Sequence, residues 1–125
     1  MKRDPRVVEY ALGEGWKALV GRTDADNDAL SLEVARPDDW WFHVRGMPGS
    51  HVILQGPEGE EADRALLRQA AAIAAWHSKA RGGGVAAVSG TRARYVTKPR
   101  GAKPGTVQIR KEEIFKVRPE LPEAP

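Results

Sequence analysis

The sequence predicts a single α+β domain in which a mixed or antiparallel β-sheet packs against one long alanine-rich helix. Three observations carry this prediction. Short stretches rich in β-branched and aromatic residues recur along the chain and are separated by turn-forming residues. A single stretch, near the middle, has long helical periodicity. The chain has 125 residues, of which 41% are hydrophobic and 30% charged, as expected for one domain with one core.

The N-terminal third of the chain is predicted to form β-structure. Residues 1–12 suit an irregular or edge segment, and WKALVGR at 16–22 suits a strand. TDADND is predicted to be a turn, because Asp and Asn side chains can hydrogen-bond to their own backbone. ALSLEVAR then predicts a second strand with Leu30, Leu32 and Val34 on one face.

The next segment predicts a strand, a loop and a further strand. WWFHV at 40–44 has strand-forming aromatic and β-branched residues, RGMPGS interrupts it, and HVILQ at 51–55 resumes. Because side chains alternate along a strand, Trp40 and Phe42 should share one face and Trp41 should take the other. At least one tryptophan is therefore expected to be buried.

The helical pattern extends over about residues 60–80, with acids at its start and Lys79 and Arg81 at its end, as the helix dipole favours. RGGG ends the helix, and strands are predicted at 85–90, 106–110 and 114–119. We expect the domain to cover residues 1–118 and residues 119–125 to be a flexible tail. The predicted sheet-facing stripe of the helix consists of Leu66, Ala70, Ile73, Ala74 and His77.

Composition excludes several classes of protein. The chain has no cysteine, so a disulfide framework and a thiolate metal site are both excluded. No apolar run approaches the roughly 20 residues that span a bilayer, and the first ten residues lack the apolar stretch of a signal peptide. We therefore expect a cytoplasmic protein without a membrane partner, and no motif indicates a cofactor.

Charge is distributed unevenly along the chain, although the net charge is only +3. Residues 1–63 contain 7 Lys/Arg and 13 Asp/Glu, whereas residues 64–118 contain 13 Lys/Arg and 2 Asp/Glu. A local excess of this size can attract polyanions. A solvated basic face without a partner is the alternative that composition leaves open.

Catalytic and metal sites are weakly indicated. Ser50 and His51 are adjacent, so on a strand they would point to opposite faces and could not readily share a hydrogen bond. GSH also lacks the G-x-S-x-G pattern of the α/β-hydrolases. The histidines His43, His51 and His77 have none of the spacings typical of zinc sites.

Nucleic acid binding is the better-supported hypothesis. Residues 92–118 carry nine Lys/Arg with Tyr95 and Phe115 interleaved. Within KPRGAKPG, glycines and prolines can bring the backbone close to a phosphate chain. The aromatic residues at 40–42 and Arg45 could stack on bases.

Three ordered motifs resemble the NFACT-R domain, the RNA-binding module of the NFACT family of ribosome-associated quality-control proteins. AAWHSKAR resembles the end of the family's alanine-rich helix, and the similarity spans roughly residues 8–118. The first motif is carried by Asp39, Trp41, Phe42, His43, Val44, Arg45, Gly46, Pro48, Gly49, Ser50 and residues 51–54. The last is carried by Val96, Lys98, Pro99, Gly101, Lys103, Pro104, Gly105 and Val107.

The resemblance implies an α+β fold and non-catalytic binding of tRNA or large-subunit ribosomal RNA, with the ribosome as a further partner. The other domains of a full NFACT protein do not fit into 125 residues, so the chain resembles a stand-alone NFACT-R protein. The residues expected to contact phosphates are Lys98, Arg100, Lys103 and Arg110, and those expected to contact bases or sugars are Trp41, His43, Arg45 and His51. The expected RNA-binding residues are Trp41, His43, Arg45, Gly49, Ser50, His51, Arg92, Arg94, Lys98, Arg100, Lys103 and Arg110.

Two other functions remain open from the sequence. A small RNA hydrolase could use His43 and His51 as acid and base. A protein-interaction module could instead dock on a ribosome-associated partner through Trp40 or Trp41.

Overall fold

The computed structural model describes residues 4–123. The α-helices in that range are α1 (Asp24–Ala29) and α2 (Arg64–Trp76). The strands are β1 (Val7–Gly13), β2 (Trp16–Gly21), β3 (Trp40–Val44), β4 (Val52–Gln55), β5 (Ala86–Arg92), β6 (Val96–Thr97), β7 (Gln108–Ile109) and β8 (Glu113–Val117).

The six longer strands form one sheet in the order β1-β2-β4-β3-β5-β8, and each neighbouring pair is antiparallel. The strands β6 and β7 form a separate two-stranded ribbon. Helix α2 covers one face of the sheet, and α1 with the β6–β7 ribbon covers part of the other. The α+β prediction is confirmed, and the sheet is antiparallel throughout the described strands.

Strand β3 occupies the predicted residues 40–44, and its side chains alternate as expected. Phe42 lies in the core beneath α2, with Trp40 packed beside it at the edge of that core. Trp41 points to the opposite face, where it is 3% exposed and packs with Leu30 and Ile53. The sheet thus has an apolar core on each side.

Helix α2 packs on the sheet as predicted but is shorter than the predicted 60–80. The Asp63 side chain caps its N-terminus by accepting a 2.8 Å hydrogen bond from the Leu66 amide, so the helix starts after the acidic residues. Beyond Trp76, Ser78 turns the chain by donating its hydroxyl to the Ala75 carbonyl. Close approach to the sheet is provided by four buried alanines, Ala70, Ala71, Ala74 and Ala75.

Residues 24–34 correct the sequence prediction, because they form a helix and not a turn followed by a strand. The Thr23 hydroxyl caps α1 by accepting from the Asp26 amide, and a π-helical turn, Leu30–Val34, continues it. Leu30 is fully buried, whereas Leu32 and Val34 are 37% and 40% exposed. Burial of Leu30 and capping by Thr23 therefore favour a helix in this segment, although its apolar residues alternate as they would in a strand.

Residues 119–123, part of the segment expected to be a flexible tail, lie against α2. The Glu120 amide donates to the Ala72 carbonyl, and Leu121 packs against the core. No helix within residues 4–123 is both long and apolar enough to cross a membrane.

Candidate nucleic-acid interface

A cleft of about 310 Å³ opens on the sheet face opposite α2, beside the β6–β7 ribbon. Four of the predicted site residues line it: Trp41 and His43 come from β3, and Arg45 and His51 come from the loop between β3 and β4. We call it the histidine cleft. Its remaining lining residues are Val44, Gly46, Ser89, Gly105, Thr106, Val107 and Ile109.

A buried hydrogen-bond network fixes the floor of the histidine cleft. The Ser31 hydroxyl accepts from Trp41 Nε1 at 3.1 Å and lies 2.8 Å from His51 Nδ1. The Asn27 side-chain oxygen accepts from the backbone amide of His51 at 3.1 Å. The Ser31 oxygen can accept from Trp41 while its own proton points at Nδ1; in that arrangement a neutral imidazole carries its hydrogen on Nε2.

Both histidines of the cleft favour the neutral state. Burial lowers the pKa of His51 to about 4, helped by the nearby charge of His43 and opposed by hydrogen bonding to the Gly105 backbone. Burial also lowers the pKa of His43, against backbone hydrogen bonds at Gly49 and Val44. The two rings meet edge to face at 5.5 Å, and the His43 ring stacks on Trp41 at 6.0 Å.

Arg45 supplies the cationic side chain of the cleft. Its guanidinium is 3.7 Å from the Glu112 carboxylate, and its side chain remains 51% exposed. The Ser89 hydroxyl donates to the same carboxylate. The ion pair is half-solvated, so an incoming anion can compete with Glu112 for the guanidinium.

The connection between β6 and β7, residues 98–107, is tied to α1 by Asp28. One Asp28 oxygen accepts from the Gly105 amide at 3.0 Å, and the other lies 3.0 Å from Lys98 Nζ. Lys98 also donates to the carbonyls of Lys103 and Thr106. Lys98, a predicted phosphate contact, is therefore 26% exposed and holds the loop together from inside.

The other predicted cations on this loop and ribbon are exposed. Arg100 and Lys103 are exposed on the β6–β7 connection, and neither has an ion-pair partner within residues 4–123. Arg110 follows β7 and places its guanidinium 5.3 Å from the centre of the Tyr95 ring.

Gly49 and Ser50 line a different depression, which faces the end of α2. The Ser50 amide donates to the His77 carbonyl at 2.9 Å. A Cβ at Gly49 would lie 2.8 Å from that of Ser78, so the close approach requires glycine. These two residues fix the loop after β3, and the exposed positive charge of the depression comes from Arg22, Lys79 and Arg81.

Arg92 and Arg94 lie near the start of β3, away from the histidine cleft, and both are ion-paired. Arg92 stacks over the Trp40 ring at 4.6 Å and donates to the Glu61 carboxylate at 2.9 Å. Arg94 pairs with Asp38. Neither of these residues lines the histidine cleft.

Three further residues that shape the cleft are not predicted from the sequence: Ser31, Asp28 and Glu112. Ser31 and Asp28 fall in the segment for which the sequence predicts a turn and a strand, so their orientation cannot be inferred from it. Glu112 sits in RKEE, where neighbouring charges give no sign that one acid reaches Arg45.

Metal binding is weakly indicated by the sequence, and the structure does not bring His77 to the other two histidines. His77 lies on the α2 side of the sheet, where its Nε2 is 2.8 Å from the Tyr10 hydroxyl. Residues 4–123 contain no group of three or more His, Asp or Glu side chains arranged to hold a metal ion.

The cleft combines an exposed arginine, imidazoles that favour the neutral state and a neighbouring loop with exposed cations. Such a surface attracts anions and offers both ionic and neutral hydrogen-bond partners. Fold and cleft together define an antiparallel α+β domain with a cationic cleft on one face of its sheet.

Comparison with known proteins identifies the family. A model described as "NFACT protein RNA binding domain" matches residues 7–111. The Rqc2 homolog RqcH of Bacillus subtilis (strain 168) is 37% identical over 117 residues, which cover 94% of this chain and 20% of the relative. The Rqc2 homolog RqcH of Streptococcus suis (strain 05ZYH33) is 35% identical over 101 residues, 81% of this chain and 18% of that protein.

A solved structure agrees with these matches. The C-terminal part of the fibronectin/fibrinogen-binding protein from Streptococcus suis superposes with a TM-score of 0.84 and 31% identity, covering 96% of this chain and 47% of that one. The chain belongs to the NFACT protein RNA binding domain family. It spans about a fifth of the length of these two RqcH relatives.

Proposed function

We propose that this domain binds a structured RNA, tRNA or large-subunit ribosomal RNA, through the histidine cleft and the exposed cations beside it. One observation carries the proposal. In a chain of the NFACT RNA-binding family, Trp41, His43, Arg45 and His51 converge on one cleft next to a basic loop. This is the surface on which phosphate and base contacts can be made together.

The chemistry of each contact follows from burial and charge. Arg45 can exchange Glu112 for a phosphate oxygen, and Arg100 and Lys103 can reach neighbouring phosphates from the loop. Half-buried His43, stacked on Trp41, is suited to a hydrogen bond with a sugar or base edge. Trp41 itself is buried, so it supports this position from below.

The proposed role is binding without catalysis. An acid–base pair needs two imidazoles whose free nitrogens reach the substrate. His51 is 2% exposed and its Nδ1 is engaged with Ser31, so it is better suited to holding the cleft than to proton transfer. Through its RNA partner the domain would act at the ribosome, in the cytoplasm, in a process related to ribosome quality control.

The experiment is a binding titration of the purified chain with tRNA, a large-subunit ribosomal RNA fragment and duplex DNA across a salt series. We expect tighter, salt-dependent binding to one structured RNA. Arg45→Gln and Lys103→Gln should each weaken it roughly threefold to tenfold, because each removes one phosphate contact. RNA that stays intact during the titration would support the non-catalytic role.

Lys98→Gln removes the other lysine of the same loop and reports a loss of loop structure, in contrast to the loss of an exposed phosphate contact in Lys103→Gln. Lys98 is held by Asp28 and two carbonyls, so its loss should lower the free energy of unfolding by about 1–2 kcal/mol. Equal and weak binding of RNA and DNA would contradict the proposal and point to a protein partner instead. Cleavage of RNA that depends on His43 would contradict the non-catalytic role.

A further inference from the structure

Three cations converge on the ring of Tyr95, outside the histidine cleft. The guanidinium carbons of Arg94 and Arg110 lie 5.8 and 5.3 Å from the ring centre, and Lys111 Nζ lies 5.3 Å from it. We call these four residues the Tyr95 cluster. Tyr95 is half-buried, and the cations around it are exposed.

The backbone holds the cluster in place. The Arg110 amide donates to the Tyr95 carbonyl at 3.1 Å. The Thr91 hydroxyl is hydrogen-bonded to the Arg110 carbonyl at 2.7 Å and lies 3.3 Å from the Lys111 carbonyl. The convergence therefore does not depend on long side chains alone.

The acids that follow these cations in the sequence do not neutralise them. RKEE at 110–113 suggests a mixed turn in which charges cancel. Glu112 instead pairs with Arg45, and Glu113 pairs with Arg64 near the N-terminus of α2. Within residues 4–123, Arg110 and Lys111 are both without an ion-pair partner.

Lys111 adopts a backbone conformation that side chains disfavour. Its φ is +55°, in the left-handed region that glycine occupies without strain.

The cations of Arg110 and Lys111, which share one aromatic ring, also repel each other. The attraction of each cation to the ring offsets this only partly, and a bound anion would relieve the repulsion. Strain of this kind is found preferentially at functional sites.

We infer that the Tyr95 cluster is a second phosphate-binding subsite, in which Arg110 and Lys111 hold a phosphate of the same RNA that enters the histidine cleft. This inference rests on the proposed function. Ile109 lines the cleft and Arg110 is the next residue along the chain, so a strand of RNA leaving the cleft across β7 meets the cluster. Arg94 contacts the Tyr95 ring but is paired with Asp38, so it is not one of the two residues that hold the phosphate.

The decisive variant is Lys111→Gly, because it separates structure from binding. Glycine relieves the left-handed strain, so the midpoint of urea unfolding should stay the same or rise. RNA affinity should fall roughly threefold to tenfold at moderate salt, because a phosphate contact is lost. A variant that binds RNA as tightly as the parent would overturn the inference.

Combining Lys111→Gly with Arg110→Gln should reduce the logarithmic salt slope by about 1.4 to 1.8, the value for two phosphate contacts. Lys17→Gln with Arg118→Gln removes the same charge elsewhere and should leave the slope unchanged. An equal loss in this control would mean general electrostatics and would overturn the subsite. Loss of binding in Arg45→Gln, with none in the cluster variant, would overturn the subsite alone and leave the proposed function standing.

The source of the phosphate is tested by NMR titration of the Arg110 and Lys111 amides. A short RNA should shift them at micromolar concentration, whereas inorganic phosphate should need millimolar concentration. Comparable responses to both at the same concentration would overturn an RNA subsite in favour of a general anion site.

Discussion

At the scale of single residues, His51 shows how this domain uses polar groups as structure. Its ring is 2% exposed, hydrogen-bonded to Ser31 and packed against Trp41 at 5.2 Å. A buried imidazole is tolerated only if it stays neutral and hydrogen-bonded. The residue therefore defines the cleft's floor, and the exposed groups around it provide the binding energy.

The pH dependence of folding tests the buried, neutral state of His51. The unfolded chain binds a proton at this residue with a pKa near 6.5, whereas the folded chain does so only with a pKa of about 4. Between these values the unfolded state binds more protons, so the free energy of unfolding falls as the pH falls, by about 3 kcal/mol in total. Stability from this residue is fully present above pH 6.5.

Urea unfolding between pH 7.5 and 4, compared with His51→Gln, measures this contribution. Burial lowers the pKa of His43 and His77 as well, so their effects have the same sign and remain in both proteins. We expect the variant to be less stable at pH 7.5 and less dependent on pH. Parallel curves for the two proteins would show that His51 is accessible and titrates normally.

Some single-residue environments can be predicted from the sequence and others cannot. The alternation of Trp40, Trp41 and Phe42 follows from strand geometry, and the structure confirms it. Lys98 and Lys103 occupy similar positions in a repeated Lys-Pro pattern, yet only Lys98 meets Asp28. That difference depends on where α1 lies, which local sequence does not determine.

At the scale of elements, the function of the β6–β7 connection depends on how it docks on α1. Gly105 makes this contact with φ of +85°, and a Cβ there would lie 2.9 Å from an Asp24 carboxylate oxygen. The same residue lines the histidine cleft and donates its amide to Asp28. Moving this loop would therefore change the cleft and displace Lys103.

Gly105→Ala tests the docking, and Gly101→Ala is its matched control. Both glycines have positive φ, +85° and +78°, so alanine strains the backbone at either position. A Cβ at Gly101 meets nothing within 4 Å, so only Gly105→Ala adds a steric clash with α1. RNA affinity should fall in Gly105→Ala by roughly tenfold more than in Gly101→Ala. Equal RNA affinities in the two variants would show that RNA binding does not depend on docking of this loop on α1.

Helices and strands are predicted correctly from the sequence where a single periodicity of apolar residues agrees with the final packing. The strand at 40–44 and a helix lying on the sheet follow from alternation and from the alanine-rich stripe. The prediction for residues 24–34 is wrong because their apolar residues alternate as in a strand. Burial of Leu30 and capping by Thr23 outweigh that pattern in the folded domain.

At the scale of the whole molecule, the two faces of the sheet differ in what they carry. The face under α2 holds the larger apolar core, and the opposite face holds the smaller core, the histidine cleft and the Tyr95 cluster. The charge excess of the second half of the chain is partly cancelled in three dimensions. Arg92, Arg94 and Lys98 are paired with acids of the first half.

The salt dependence of RNA binding counts the cations that remain for the ligand. Within residues 4–123, five side chains on the cleft side either have no ion-pair partner or are held only by the partly exposed Glu112: Arg45, Arg100, Lys103, Arg110 and Lys111. Five phosphate contacts give a slope of log affinity against log salt of about −3.5 to −4.5. The three paired cations would add about 2 to 3 more if they exchanged their acids for phosphates.

Fluorescence-anisotropy titrations between 50 and 300 mM KCl, each with a short single-stranded and a structured RNA, measure this slope. A value near −4 for the structured RNA would mean that Arg92, Arg94 and Lys98 keep their protein partners in the complex. A slope steeper than about −6 would contradict this division, because the structural ion pairs would have to open on binding. The Arg92→Gln and Arg94→Gln variants distinguish the two cases: they leave the slope unchanged in the first and make it shallower in the second, because a phosphate contact is then lost.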